Sequence, residues 1–141
     1  MAINAYLNFN GNCREAVGFY ADVFGAGEPQ IMTFGDLPPN QEHPVPEGAK
    51  MLVMHARLDV FGGTLMFSDT FPGMPYAQGD SISLSLTSND KGALEVAYEQ
   101  LKVGGRVTME PQETFWSKYY GSVTDKFGIQ WQFSLEESSP S

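Results

Sequence analysis

Apolar and polar positions alternate with period two through Ile3-Asn4-Ala5-Tyr6-Leu7-Asn8-Phe9, which predicts an opening strand. The period then lengthens. Cys13, Ala16, Val17, Tyr20, Val23 and Phe24 fall on one stripe of a helix, with Asn12 and Glu15 placed as a capping box. Gly25 and Gly27 end that helix, and Ile31 to Phe34 predicts a short strand. Residues 36–48 hold Pro38, Pro39, Pro44 and Pro46 with few apolar side chains, the composition of a loop. Met51 to Val60 predicts a strand with Leu52, Met54, Ala56 and Leu58 on one face and Met51, Val53, His55 and Arg57 on the other. Phe61-Gly62-Gly63 turns the chain into a strand from Thr64 to Ser68, and residues 71–79 are irregular.

The pattern then repeats. Ser81 to Thr87 alternates strictly, with Ile82, Leu84 and Leu86 opposed by Ser81, Ser83 and Ser85. Asn89 or Asp90 caps a helix with Leu94, Ala97, Tyr98 and Leu101 on its stripe, closed by Gly104-Gly105. Arg106 to Met109 predicts a short strand, and Ser117 to Thr124 and Ile129 to Leu135 a final pair. Asp59-Val60-Phe61-Gly62 precedes Phe67-Ser68 at the same spacing as Asp125-Lys126-Phe127-Gly128 precedes Phe133-Ser134. Turn chemistry alone does not dictate the later Phe-Ser, so the shared D-x-F-G-x-x-x-x-F-S marks a duplication. The expected architecture is α+β: two tandem βαβββ modules, about 1–70 and 80–136, in one domain of 141 residues.

Composition narrows the function classes. Ten Phe, six Tyr and two Trp suffice for a packed core. Seventeen acidic against eight basic residues give a net charge of −9, which argues against nucleic acid as a partner. A single Cys excludes a disulfide framework within the chain. No apolar run suits a membrane span, and no basic-then-apolar leader opens the chain. The expected setting is cytoplasmic, without membrane association. No dinucleotide fingerprint, phosphate loop or G-x-S-x-G elbow occurs.

The duplicated pattern resembles the vicinal oxygen chelate superfamily of glyoxalases, bleomycin-resistance proteins and extradiol dioxygenases. It is most similar to the PhnB-like branch, whose members often carry a ubiquinone methyltransferase label. The resemblance rests on Tyr6-Leu7-Asn8-Phe9-Asn10-Gly11-Asn12, Glu15-Ala16, Phe19-Tyr20 and Val23-Phe24-Gly25. It continues through Met74-Pro75-Tyr76, Gln78-Gly79-Asp80, Phe115-Trp116, Tyr120-Gly121, Asp125, Phe127-Gly128 and Trp131. It implies curved mixed sheets around a cleft (the glyoxalase/bleomycin resistance/dioxygenase-like fold) and a homodimer. Metal-using relatives hold the ion by His and Glu on the first and last strand of each module. Those positions fall here on Ala5, on Ser81, Ser83 or Ser85, on Met66 and on Gln132. Thioether, hydroxyl and neutral amide are poor ligands for hard divalent ions, so no metal and no cofactor is expected.

Strand alternation points Thr64, Met66, Ser68, Gln130, Gln132 and Ser134 into the cleft, with Trp131 and Phe133 under the helices. The candidate ligand-binding residues are His55, Arg57, Met66, Ser83, Trp116, Tyr119 and Gln132. His55 and Arg57 are either a proton acceptor with an anion clamp or a hydrogen-bonded strand pair. Trp116, Tyr119 and Tyr120, read as entering a long strand, either stack on a flat or cationic ligand or pack a subunit interface. Cys13 reads as a small buried hydrophobe, His43 as a solvated loop residue, and Asp69 and Asp80 as loop anchors. The preferred function is binding of a small molecule without metal, the acidic surplus favouring a basic or amphipathic ligand or serving solubility. The alternative is a metal-dependent lyase, isomerase or dioxygenase with a non-standard site drawing on His55, Asp69 or a partner chain.

Overall fold

The computed structural model describes residues 3–38 and 44–136. It divides into two compact units, Met1–Ala77 and Gln78–Ser141. The first contains β1 (Ala5–Phe9), α1 (Cys13–Phe24), β2 (Gln30–Thr33), β3 (Val53–Val60) and β4 (Gly63–Asp69). The second contains β5 (Leu84–Ser88), α2 (Lys91–Leu101), β6 (Arg106–Gln112), β7 (Tyr120–Thr124) and β8 (Gln130–Leu135). Their sheets have the same order, β1-β4-β3-β2 and β5-β8-β7-β6, with the first pair parallel and the others antiparallel. The expected α+β class and its duplicated βαβββ plan are therefore present.

Each helix lies on one face of its own sheet. In the first unit Val17 and Tyr20 of α1 are fully buried with Val53, Ala56 and Phe67, and the Tyr20 ring stacks on Phe67 at 5.8 Å. In the second, Leu94 and Leu101 of α2 are fully buried, and Tyr98 meets Phe133 edge-on at 5.8 Å. Burying one such side chain contributes about 1.5–3 kcal/mol, so these stripes hold each helix to its sheet. Among the described residues the opposite face of each sheet carries no α-helix of its own unit, and the candidate chemistry lies there.

Several boundaries depart from the sequence expectation, each for a local reason. Asn12 stands at the N-cap of α1, but its side chain makes no capping bond. The Asp69 carboxylate supplies it instead, Oδ1 accepting from the N–H groups of Gly11 at 2.9 Å and Cys13 at 3.0 Å. Its Oδ2 accepts from Val53 N–H at 2.9 Å. Val53 is thereby drawn into the core at 0% exposure, whereas alternation had grouped it with His55 and Arg57. The register of β2 on β3 shifts between Met32 and Thr33 at the same place, and such a bulge is what reverses the phase. Strand β5 begins at Leu84, not Ser81, and Ile82 is 78% exposed instead of sharing the core with Leu86.

Strand β7 begins at Tyr120, three residues later than expected, so Trp116 and Tyr119 precede it. The Ser117 hydroxyl accepts from Tyr119 N–H and lies 2.8 and 3.0 Å from the carbonyls of Tyr119 and Leu135. Thr114 and Ser117 also close a local turn through Thr114 N–H to Ser117 O at 2.8 Å. These bonds take backbone groups that a longer ladder would need. Strand β6 instead runs three residues further than expected, through Pro111, which an edge strand tolerates.

Candidate ligand-binding face

On the first sheet the open face is a mixture of charge, aromatic ring and thioether. Met66 lies beside Tyr6 on β1 and opposite Arg57 on β3. Tyr6 Oη is 3.4 Å from His55 Nδ1, with the rings 5.9 Å apart. The Arg57 guanidinium donates to Asp59 Oδ1 from Nε at 3.2 Å and Nη2 at 3.1 Å, and Thr64 Oγ1 donates to the same oxygen at 3.0 Å. The Thr64 bond, then Arg57, holds the Asp59 carboxyl below its ordinary range. Arg57 is thus already paired. Beside it lies an open hollow of about 340 Å³ bordered by Glu28, Gln30, Arg57 and Asp59.

The second sheet presents a different face. Gln132 on β8 sits opposite Ser122 on β7 and beside Ser85 on β5. Tyr120 Oη donates to Gln132 Oε1 at 2.6 Å, and Gln132 Nε2 donates to Ser83 Oγ at 2.6 Å. The hydroxyls of Thr108 and Ser122 are 2.7 Å apart on the adjoining strands. Trp116, 53% exposed, approaches the Tyr120 ring edge-on at 5.3 Å. Trp116 also borders an open hollow of about 530 Å³ with Thr87, Ser134, Glu113, Lys118 and Glu136.

The candidate residues therefore sort by unit. His55, Arg57 and Met66 share the open face of the first, and Ser83 and Gln132 bond directly on the second, with Trp116 nearby. Tyr119 does not join them: it is 8% exposed, with the Lys91 ammonium of α2 5.7 Å from its ring centre. Alternation counted back from buried Val123 through Gly121 puts Tyr119 on the helix side and Tyr120 on the open side. The sequence reading grouped Tyr120 with Trp116 and Tyr119 as a stacking edge but left it out of the candidate residues, and that parity was the signal for placing it on the open side. His43 lies outside the described residues. Asp80 is exposed, while Asp69 is 4% exposed and anchors three backbone groups.

Thioether, hydroxyl and neutral amide are weak partners for hard divalent ions. At two of the positions that the resemblance assigns to metal ligands stand Met66 and Gln132, and the Gln132 amide is held between two hydroxyls. Among the described residues no three His, Cys, Asp or Glu side chains converge.

Cys13 and Tyr119 titrate abnormally. Burial, with Asp69 nearby, pushes the Cys13 thiol from 9.0 up to about 12. Burial, then the charges of Glu95 and α2 neighbours, pushes the Tyr119 phenol from 10.0 up to about 12. Both folded values lie above the unfolded ones, so their stabilisation is complete below pH 9 and is lost as pH rises toward 12. Melting temperature should fall above pH 9, less steeply in Cys13→Ala than in the parent protein. Equal alkaline slopes would contradict the assignment of that loss to the thiol.

Comparison with known proteins agrees with this fold. A profile of the family described as 3-demethylubiquinone-9 3-methyltransferase matches residues 1–134. The chain is 30% identical to the protein YjdN of Escherichia coli (strain K12) over 147 residues, 99% of each chain. The crystal structure of protein PA1353 from Pseudomonas aeruginosa is similar with a TM-score of 0.84 and 37% identity, covering 98% of this chain and 99% of that one. A putative 3-demethylubiquinone-9 3-methyltransferase, PhnB protein, from Bacillus cereus shares the fold (TM-score 0.71, 23% identity, 96% and 100% coverage). So does a glyoxylase/bleomycin resistance protein/dioxygenase domain from Frankia sp. EAN1pec (TM-score 0.62, 14% identity, 97% and 98% coverage). The chain belongs to the 3-demethylubiquinone-9 3-methyltransferase family, and its fold is that of the PhnB protein and of the glyoxylase/bleomycin resistance protein/dioxygenase domain.

Proposed function

We propose that this protein binds a small organic molecule without a metal ion, and that the open face of the second sheet is its principal binding surface. The observation that carries the reading is the Tyr120–Gln132–Ser83 chain of 2.6 Å hydrogen bonds at the position where metal-using relatives keep a ligand. An amide held between two hydroxyls is a preorganised recognition group, and the hollow beside Trp116 falls in the usual ligand-pocket range of roughly 300–1,000 Å³. His55, Arg57 and Met66 are the corresponding candidates on the first unit. We read the two units as one working domain.

The homodimer and the cytoplasmic setting belong to the same proposal. The exposed Ile3, Met51 and Ile82 supply apolar surface of the kind that subunit contacts cover. A lone cysteine that is fully buried suits a reducing compartment, and no helix among the described residues is long and apolar enough to cross a membrane. The family's methyltransferase description supplies no assignment for these residues. Each sheet has a single parallel pair, and the strand-to-helix turn at Asn10-Gly11-Asn12 is tied to Asp69. A thermal-shift screen of metabolites and antibiotics, each run with EDTA and with added zinc, nickel or manganese, tests the reading. Stabilisation that survives the chelator is expected, and stabilisation appearing only with metal overturns it.

A further inference from the structure

The open face of the second sheet is ordered in its donors and acceptors, and that order restricts the ligand. The Tyr120 phenol has one proton, and it is spent on Gln132 Oε1. Toward a ligand Tyr120 can only accept. Ser83 Oγ receives the Gln132 amide N–H, so the hydroxyl proton of Ser83 remains to be donated. Turning the amide over reverses the direction of the chain and leaves the same result: one terminal hydroxyl only accepts and the other keeps a proton. Between them Gln132 retains one N–H and one carbonyl lone pair. The Thr108–Ser122 pair on the next strands repeats the pattern, since only one of two bonded hydroxyls can be the donor.

Charge is missing from the strand positions that carry this array. The residues that β7 and β8 place on this face are Tyr120, Ser122, Thr124, Gln130, Gln132 and Ser134. None is ionisable near neutral pH. Charged groups stand at its margins: Arg106 opposite Thr124, and Glu113, Lys118 and Glu136 around the hollow beside Trp116 and Ser134. An ammonium only donates and a carboxylate only accepts, so either ion leaves half of the array unpaired when it displaces water.

We infer that the face selects an uncharged ligand carrying a donor and an acceptor on neighbouring atoms of a flat ring. Such a group is the edge of a lactam or cyclic urea, paired with Tyr120, Gln132 and Ser83 while the ring lies against Trp116. The inference rests on the small-molecule reading of this face and specifies its ligand class.

Three probes of one shape and different charge test it: 2-quinolinone, N-methylquinolinium and quinoline-2-carboxylate, titrated into the full-length protein and followed by ¹⁵N–¹H NMR. Saturable shifts are expected for 2-quinolinone at the Trp116 indole and Gln132 side-chain amide, with affinity at least about tenfold above both ions. Tyr120→Phe keeps the ring and removes one end of the chain, so it should weaken 2-quinolinone about tenfold and leave the ions unmoved. An unchanged melting temperature would show that this variant folds normally. Equal or tighter binding of either ion, no binding of 2-quinolinone, or indifference to Tyr120→Phe overturns the inference. A chelator-resistant ligand of another class in the metabolite screen would then leave the function reading standing alone.

Discussion

Asp69→Ala should cost about 4 kcal/mol of folding stability, because buried N–H groups left without acceptors cost about 1–3 kcal/mol each. The side chain is 4% exposed and accepts three backbone N–H groups, from Gly11, Cys13 and Val53, at 2.9–3.0 Å. It therefore ties the entry of α1 and the start of β3 to the end of β4. Asp69→Asn keeps an acceptor for part of this set but turns an amide N–H₂ toward a donor, so about half the loss is expected to remain, roughly 2 kcal/mol. Urea denaturation measures both, and hydrogen exchange should show the Cys13 and Val53 amides opening first in the alanine variant. A cost below about 1 kcal/mol for Asp69→Ala would refute this account of the first unit.

Asp125→Ala should be nearly as costly, at about 3 kcal/mol. Asp125 is 3% exposed; its Oδ1 accepts from Phe127 and Ile129 N–H at 2.9 and 3.0 Å, and its Oδ2 from Trp131 Nε1 at 2.8 Å. Alanine would strand the indole N–H of the largest fully buried side chain of the chain's described residues. Asp59 holds the equivalent place in the first repeat, yet its carboxylate is exposed and meets the side chains of Arg57 and Thr64. Asp59→Ala should leave the denaturation midpoint where it is, as exposed pairs usually do. Equal midpoints for the two alanine variants would show that the buried Trp131 bond has no energetic consequence.

That contrast shows which part of the fold was legible in the residues. Both helices, the duplication and the apolar stripes follow from spacing, and the structure has each of them. The shared D-x-F-G letters, however, fold into two different turns. At Phe61-Gly62 both residues have positive φ, 49° and 74°, between the paired Val60 and Gly63, as a two-residue hairpin loop with strand-matching twist requires. At the second copy Gly128 N–H bonds to Asp125 O and Asp125 N–H to Ile129 O, which makes the loop one residue longer. The difference lies in what the Asp carboxylate can reach, and Trp131 has Leu65 as its counterpart in the first copy.

The helix cap was illegible for a similar reason. Asn12 and Glu15 satisfy a local rule, but the acceptor that caps α1 comes from Asp69, 58 residues beyond Gly11. Only the parallel pairing of β1 with β4, Phe9 beside Asp69, brings it there. The candidate face was half legible. Alternation correctly set Gln132 against Trp131 and Phe133, and it contained the parity of Tyr119 and Tyr120. The bulge opposite Val53 and the delayed start of β7 are backbone events that side-chain period does not announce.

In the proposed function hydroxyl and amide groups, not an ion, receive the ligand. A thermal-shift titration of a screened ligand in EDTA, repeated with equimolar zinc, nickel or manganese, tests it most directly. At a hundredfold excess over Kd a ligand of the native state adds about 2.7 kcal/mol, which raises Tm by several degrees in a chain of this length. The same rise is expected in chelator and in metal, with its disappearance in Gln132→Leu. A rise that vanishes in EDTA, returns with one metal and is abolished by His55→Ala would contradict it.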